Sequence, residues 1–203
     1  MPIETNFSKE LPIFPLTVNV LPGGYLPLQI FEPRYLDMVK SCMSQETGFC
    51  IVLLKGSAQE SSSSNLPDHS PIGTYVQIVD FNQLENGLLG ITVQGKYRIK
   101  ILDRKFQEDG LIVGNITKEE EEEESISLEP QYDNIWKILK DISKHPEIQK
   151  LDLEIDFGNS SSVAYNLANL LPLPPSERQN ILEFQSNVDR FEHLNKLVKS
   201  LGG

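Results

Sequence analysis

Few residues in this chain are spaced for chemistry. Gly90-Ile91-Thr92-Val93-Gln94-Gly95-Lys96-Tyr97 comes close to the phosphate-cradling pattern G-x-x-x-x-G-K-[ST]. A phosphate loop needs a strand before it, a helix after it and a hydroxyl for Mg²⁺. Here apolar alternation predicts a strand running through the motif, and Tyr97 stands where Ser or Thr belongs, so a hairpin is the better expectation. Of the three histidines, His69, His145 and His193, none has another histidine four residues away and no cysteine pair accompanies them. Surface positions are expected for all three, and no metal site. Cys42 falls on an apolar helical stripe and Cys50 in an apolar run, so both are expected as buried free thiols. Two cysteines cannot build a disulfide framework. No serine sits in a nucleophile elbow. No catalytic residue, metal or cofactor is expected.

The elements that position these residues follow from periodicity. Leu11, Ile13, Leu16, Val18 and Val20 supply a first extended run, interrupted by Pro12 and Pro15. Proline has no ladder donor, which predicts a sheet edge or a sharp bend. Pro22-Gly23-Gly24 predicts a turn, and Tyr25 to Phe31 a second strand. Pro33 suits the first position of a helix, where Tyr35, Met38, Val39 and Cys42 form one apolar stripe. Gly48 to Leu54 reads as a strand covered on both faces. Gly56 to Pro71, with four consecutive serines, has the composition of a loop. From 73 to 117 three or four strands alternate apolar and polar residues, each with one wet face. Arg98 and Lys100 alternate with Tyr97, Ile99 and Ile101, and Asn86-Gly87 and Asp109-Gly110 mark turns.

Beyond Lys118 the period becomes helical. Tyr132, Ile135, Trp136 and Leu139 form one stripe, ended or kinked by Pro146. Val163, Leu167, Leu170 and Leu171 form a second. Pro174-Pro175 opens a third helix with Ile181, Leu182 and Phe184 inward. Val188, Phe191, Leu194, Leu197, Val198 and Leu201 line a fourth, stopped by two glycines. Four helices with short connections predict a small bundle. The organisation expected is a β subdomain over 1–118, an acidic linker over 119–128 and a helical subdomain over 129–203.

The 203 residues carry a formal net charge of −11, and six of the carboxylates sit in one run, Glu119 to Glu124. That run reads as a solvated linker, or else as a lure for basic partners. The mildly acidic remainder argues against nonspecific binding to nucleic acid or anionic membranes. No run of about 18 apolar residues is present, the N-terminus lacks the features of a signal peptide, and a cytoplasmic protein is expected.

PIFPL, then LPGG, then PLQIFEPRY, within Leu11 to Tyr35, resembles the opening of the Lon protease N-terminal, substrate-binding domain family. Ile72-Gly73-Thr74, GKYRI at Gly95 to Ile99, and LANLLPLPPSERQNILE at Leu167 to Glu183 are similar to the same family. The resemblance implies an α+β fold: a PUA-like antiparallel β-barrel or curved sheet with an inserted helix, followed by a C-terminal helical bundle. It implies a polypeptide-binding module without the ATPase motor or the Ser–Lys protease pair that full-length Lon carries in other domains. The partners implied are unfolded or damaged polypeptides and a separate protease. Self-association is left open.

Glu32-Pro33-Arg34-Tyr35 has two readings. In one it is structural: Glu32 and Pro33 start the helix, Tyr35 packs inward and Arg34 pairs with a carboxylate. In the other, the corner from Phe31 to Tyr35 grips exposed apolar peptide over a floor of Phe14, Tyr25 and Phe31, because aromatic rings offer large, stiff contact area. The candidate peptide-binding residues are therefore Phe14, Tyr25, Phe31, Arg34 and Tyr35. Two rival functions are RNA binding, known for PUA-like barrels and disfavoured by the acidic balance, and a small-molecule pocket of the cereblon kind. The latter needs a zinc domain whose cysteine pairs are missing.

Overall fold

A computed structural model of the chain describes residues 9–55, 66–120 and 130–201. Most of the serine-rich loop, most of the glutamate run and the two terminal glycines lie outside these residues. The chain divides into two compact units: Met1–Val20 with Tyr25–Glu119, and Leu21–Gly24 with Glu120–Gly203.

The first unit contains β1 (Lys9–Leu16), β2 (Tyr25–Ile30), α1 (Pro33–Ser44), β3 (Phe49–Leu54), β4 (His69–Gln83), β5 (Leu89–Ile101), β6 (Lys105–Phe106) and β7 (Ile112–Lys118). The strand order is β2-β5-β4-β3-β1-β7-β6, and an additional β5–β7 pairing joins the sheet back to itself. Strands β5, β4, β3, β1 and β7 thus form a closed ring, with β2 and β6 outside it. The ladders are antiparallel except β1–β3, which is parallel. The sheet is therefore mixed rather than wholly antiparallel.

The first strand corrects the edge expectation, since β1 lies between β3 and β7. Its two ladders are offset along the strand. Pairing with β7 covers Lys9 to Ile13, and pairing with β3 covers Ile13 to Leu16. Each proline therefore has a ladder on one side only, which is the local condition its missing N–H requires.

Alternation along the strands feeds two cores. Leu11, Ile13, Cys50, Val52, Ile99 and Ile112 belong to one, drawn from the ring strands. Phe14, Phe49, Ile51 and Val76 belong to the other, under the α1 stripe of Tyr35, Met38, Val39 and Cys42. Burial of each such side chain stabilises the unit by about 1.5–3 kcal/mol as an upper figure. Gly87 and Gly110 hold φ of 80° in the β4–β5 and β6–β7 turns, the left-handed region that glycine enters without strain.

Two polar residues correct the sequence reading. Arg98, expected on a wet face, is 1% exposed, and His69, expected on the surface of a loop, is 6% exposed within β4. The wet faces predicted for these strands are absent there because the closed ring and the helix leave little free sheet surface.

The second unit is helical. A 3₁₀ turn (Pro130–Tyr132) leads into α2 (Asp133–Ser143), α3 (Pro146–Gln149), α4 (Ser160–Leu170), α5 (Pro175–Glu183) and α6 (Asn187–Leu201). The helix not foreseen is α3, a single turn that starts at Pro146. Its first free N–H, from Glu147, is capped by the His145 ring. Ile135, Leu139, Val163, Leu167, Ile181 and Leu194 are fully buried, and the Phe191 ring stacks on Trp136 at 4.8 Å.

On α6, Val188 and Leu201 are exposed, contrary to the expected stripe, and Arg190 is fully buried. Its guanidinium donates to the carbonyls of Ile181 (3.1 Å) and Phe184 (2.8 Å) and to Asn187, and lies over the Tyr165 ring. The turn Leu21–Gly24 belongs to this unit. Leu21 N–H donates to Asn169 Oδ1 (3.2 Å), and Asn169 Nδ2 donates to the Pro22 carbonyl (3.2 Å). No helix among the described residues is long and apolar enough to cross a membrane.

Candidate functional site

The near-phosphate motif lies inside β5, where Gln94, Val93 and Ile91 pair with both β2 and β4. Its backbone is committed to those ladders and is not arranged as a cradle. Among the described residues no group of three or more His, Cys, Asp or Glu could hold a metal ion. Both thiols are free and buried, and burial pushes both upward from the usual cysteine range. Neither is a thiolate at neutral pH. His193 Nε2 lies 2.6 Å from Glu177 Oε2 within the helical unit.

The first unit carries an open groove of about 840 Å³. One wall is the end of β2 with the start of α1: Leu28 to Glu32, then Arg34 and Tyr35. The opposite side comes from the second half of β1 and from the β6–β7 hairpin, including Leu16, Phe106, Glu108 and Ile112. These segments meet because β1 and β7 share a ladder and because Pro33 turns the chain into α1 directly after β2.

Four of the five candidate residues line this groove: Phe14, Phe31, Arg34 and Tyr35. Tyr25 does not; it sits at the other end of β2, where its hydroxyl accepts a hydrogen bond from Gln94 Nε2 (3.1 Å). Their exposure differs. Phe14 and Tyr35 stack at 4.0 Å and are each 8% exposed, while Phe31 is 64% exposed. The buried stack and the exposed Phe31 share one groove lining. Burial raises the Tyr35 phenol above its ordinary range, the Arg34 charge opposing and the Glu32 charge adding to the effect, so the ring stays neutral.

Arg34 is fixed on two sides. Its Nη2 lies 2.7 Å from Glu32 Oε2, and its Nη1 donates to the Gly110 carbonyl at 2.9 Å. The structural features expected of Glu32 to Tyr35 therefore exist, and the same residues also line an open surface. Sequence reasoning missed Phe106 (41% exposed), Leu54 and Glu108. The signal available for Phe106 was the Asp109-Gly110 turn, since a turn there folds the residues before it into a hairpin.

A second, smaller hollow of about 370 Å³ lies between the end of α1 and β4, bordered by Met43, Glu46, Asp80 and Phe81. Phe81 is 58% exposed, and its N–H is already taken by the Asp80 carboxylate at 2.8 Å.

Comparison with known proteins agrees with the motifs. The family profile described as the ATP-dependent protease La (LON) substrate-binding domain matches residues 10–200. A Lon protease of Buchnera aphidicola subsp. Baizongia pistaciae is 28% identical over 94% of this chain and 25% of its own length. A LON peptidase N-terminal domain and RING finger protein of Schizosaccharomyces pombe is 24% identical over 87% of this chain and 43% of its own. The chain thus spans about a quarter of the length of the Lon protease and less than half of the RING finger protein. Among solved structures, a Lon N-terminal domain protein from Xanthomonas campestris superposes with a TM-score of 0.71 at 28% identity, covering 92% of this chain and 96% of that one. The N-terminal domain of a Mycobacterium avium complex Lon protease shares the fold, with a TM-score of 0.67 at 16% identity.

Proposed function

The chain belongs to the LON substrate-binding domain family, and from that membership we propose that it is a non-catalytic module that binds exposed apolar stretches of unfolded or damaged polypeptides in the groove between β2, α1 and the β6–β7 hairpin. The observation that carries this reading is the exposure of Phe31 and Phe106 on the lining of one apolar groove. Two exposed aromatic side chains on a lining shared with a buried aromatic stack gain from covering by an apolar partner. The acidic composition keeps such a surface soluble. Handing the bound chain to a separate protease, in the cytoplasm, is the quality-control role that fits this binding.

The test is titration of the protein against an array of labelled peptides cut from unfolded proteins, alongside a Phe31→Ser/Phe106→Ser variant. Saturable binding is expected to apolar peptides, weakened at least about tenfold in the variant, which corresponds to about 1.4 kcal/mol. Melting temperature should change little, because both side chains face solvent. Absence of saturable binding up to about millimolar peptide, or equal binding by the variant, overturns the reading.

A further inference from the structure

Resting on that reading, we infer that the groove captures its polypeptide by strand addition to the open edge of β2, so that recognition is of extended backbone first and side chains second. Strand β2 ends the sheet order, and its one ladder is with β5. Among the described residues, the other edge of Leu26 to Ile30 makes no hydrogen bond. Leu28, Gln29 and Ile30 belong both to this strand and to the groove lining. Pro27 removes one donor from the strand without removing its carbonyl, in keeping with an outermost position.

An apolar groove beside an unused strand edge fits one shape of occupant. An extended segment of about six residues, the length of β2, would pair its backbone with Leu28 to Ile30. Alternate side chains would then fall on the same face, against Phe31 and Phe106. The charges narrow the occupant further. Arg34 is held by Glu32, while Glu108 on the groove lining has no ion-pair partner among the described residues. The fitting segment is therefore apolar at every second position and carries one lysine or arginine. Backbone pairing is indifferent to side-chain identity, so a surface of this kind accepts many unrelated clients provided they are unfolded.

The probe is a labelled seven-residue peptide, blocked at both ends, that alternates leucine with threonine after a single lysine. Two derivatives carry N-methyl groups, one on the backbone of every leucine and the other on every threonine. In a strand, successive N–H groups point to opposite edges, so each derivative blocks one edge while keeping every side chain. The expected result is a loss of at least about tenfold in affinity for one derivative and affinity near the parent's for the other. Equal affinity for all three peptides overturns strand addition and leaves polypeptide binding in the groove standing. Equal loss with both derivatives overturns it as well, since a single added strand uses one edge. Failure of the parent peptide to saturate by about 1 mM overturns this inference, while the peptide array decides the underlying function separately.

Discussion

Arg34 Nη1 donates a 2.9 Å hydrogen bond to the carbonyl of Gly110, so the first turn of α1 holds the turn of the β6–β7 hairpin. Two walls of the groove are tied by one side chain, which also pairs with Glu32. Hydrogen bonds to charged groups contribute about 1.5–3 kcal/mol when buried, and the side chain here is about a third exposed. Arg34→Ala is expected to lower the unfolding free energy by about 1–2 kcal/mol. Backbone amides from Gln107 to Leu111 should exchange faster with solvent than in the parent. Unchanged exchange in that turn would show that the hairpin is held by its own ladder alone.

Arg190 is the centre of the helical unit's polar core, and its removal should be the costlier change. Arg190→Ala removes one donor that serves the carbonyls of Ile181 and Phe184 and the Asn187 side chain. A buried acceptor that loses its donor costs about 1–3 kcal/mol, and although Asn187 Oδ1 keeps the Ser161 hydroxyl, a loss of about 3 kcal/mol is expected in denaturant titration. Arg190→Lys should recover less than half of it, because a single ammonium cannot reach several acceptors as a planar fork does. Full recovery by lysine would mean that charge matters there and geometry does not.

Gly24 and Asn169 should behave as a coupled pair. A Cβ on Gly24 would overlap the Asn169 carboxamide, which holds Leu21 N–H and the Pro22 carbonyl. Gly24→Ala is expected to destabilise by about 1–2 kcal/mol, and Asn169→Ala by about 1 kcal/mol. The double variant should cost less than the two added together, since the shortened side chain removes the overlap. Strict additivity in the four-way cycle would refute the contact.

His69 supplies a pH dependence. Burial is the main cause lowering its pKa from the ordinary 6.5; the Ser70 carbonyl and Asp68 act against that, and Arg104 and Lys55 with it. Above pH 6.5 both folded and unfolded states hold a neutral ring, and the group has no effect. As the pH falls below 6.5 the unfolded chain takes up the proton first, so stability falls, and the loss levels off once the folded ring also titrates. Thermal melts of the parent should therefore drop more steeply between pH 6.5 and 5 than those of His69→Gln. Parallel curves would rule the histidine out as the source.

Much of the fold was legible because it rests on local rules. The α1 stripe, its proline start and the turns at Gly87 and Gly110 each depend on a few neighbouring residues. The illegible parts depend on partners far along the chain. Two prolines argued for an edge, and only the offset ladders with β3 and β7 explain how β1 is interior. Arg98, His69 and Arg190 look like surface residues in the sequence, yet each is buried once the elements pack. The candidate groove followed the same division. Phe14, Phe31, Arg34 and Tyr35 come from one contiguous stretch and were named. Phe106 arrives from a two-residue strand, β6, and Glu108 from the turn that follows it, both too short to leave a periodic signal. Tyr25 was named because it is aromatic and near in sequence, yet a six-residue strand carries its two ends about 17 Å apart.

Because Leu11 pairs with Gly114 and β7 also pairs with β5, the ribosome must finish nearly the whole first unit before its opening strand gains both neighbours. A nascent chain stopped short of Ile112 leaves the greasy face of β1 without one flank, open to chaperones or to stray strands. Synthesis past Lys118 ends that vulnerable interval, and arrested chains on either side of that point should differ sharply in their survival under protease.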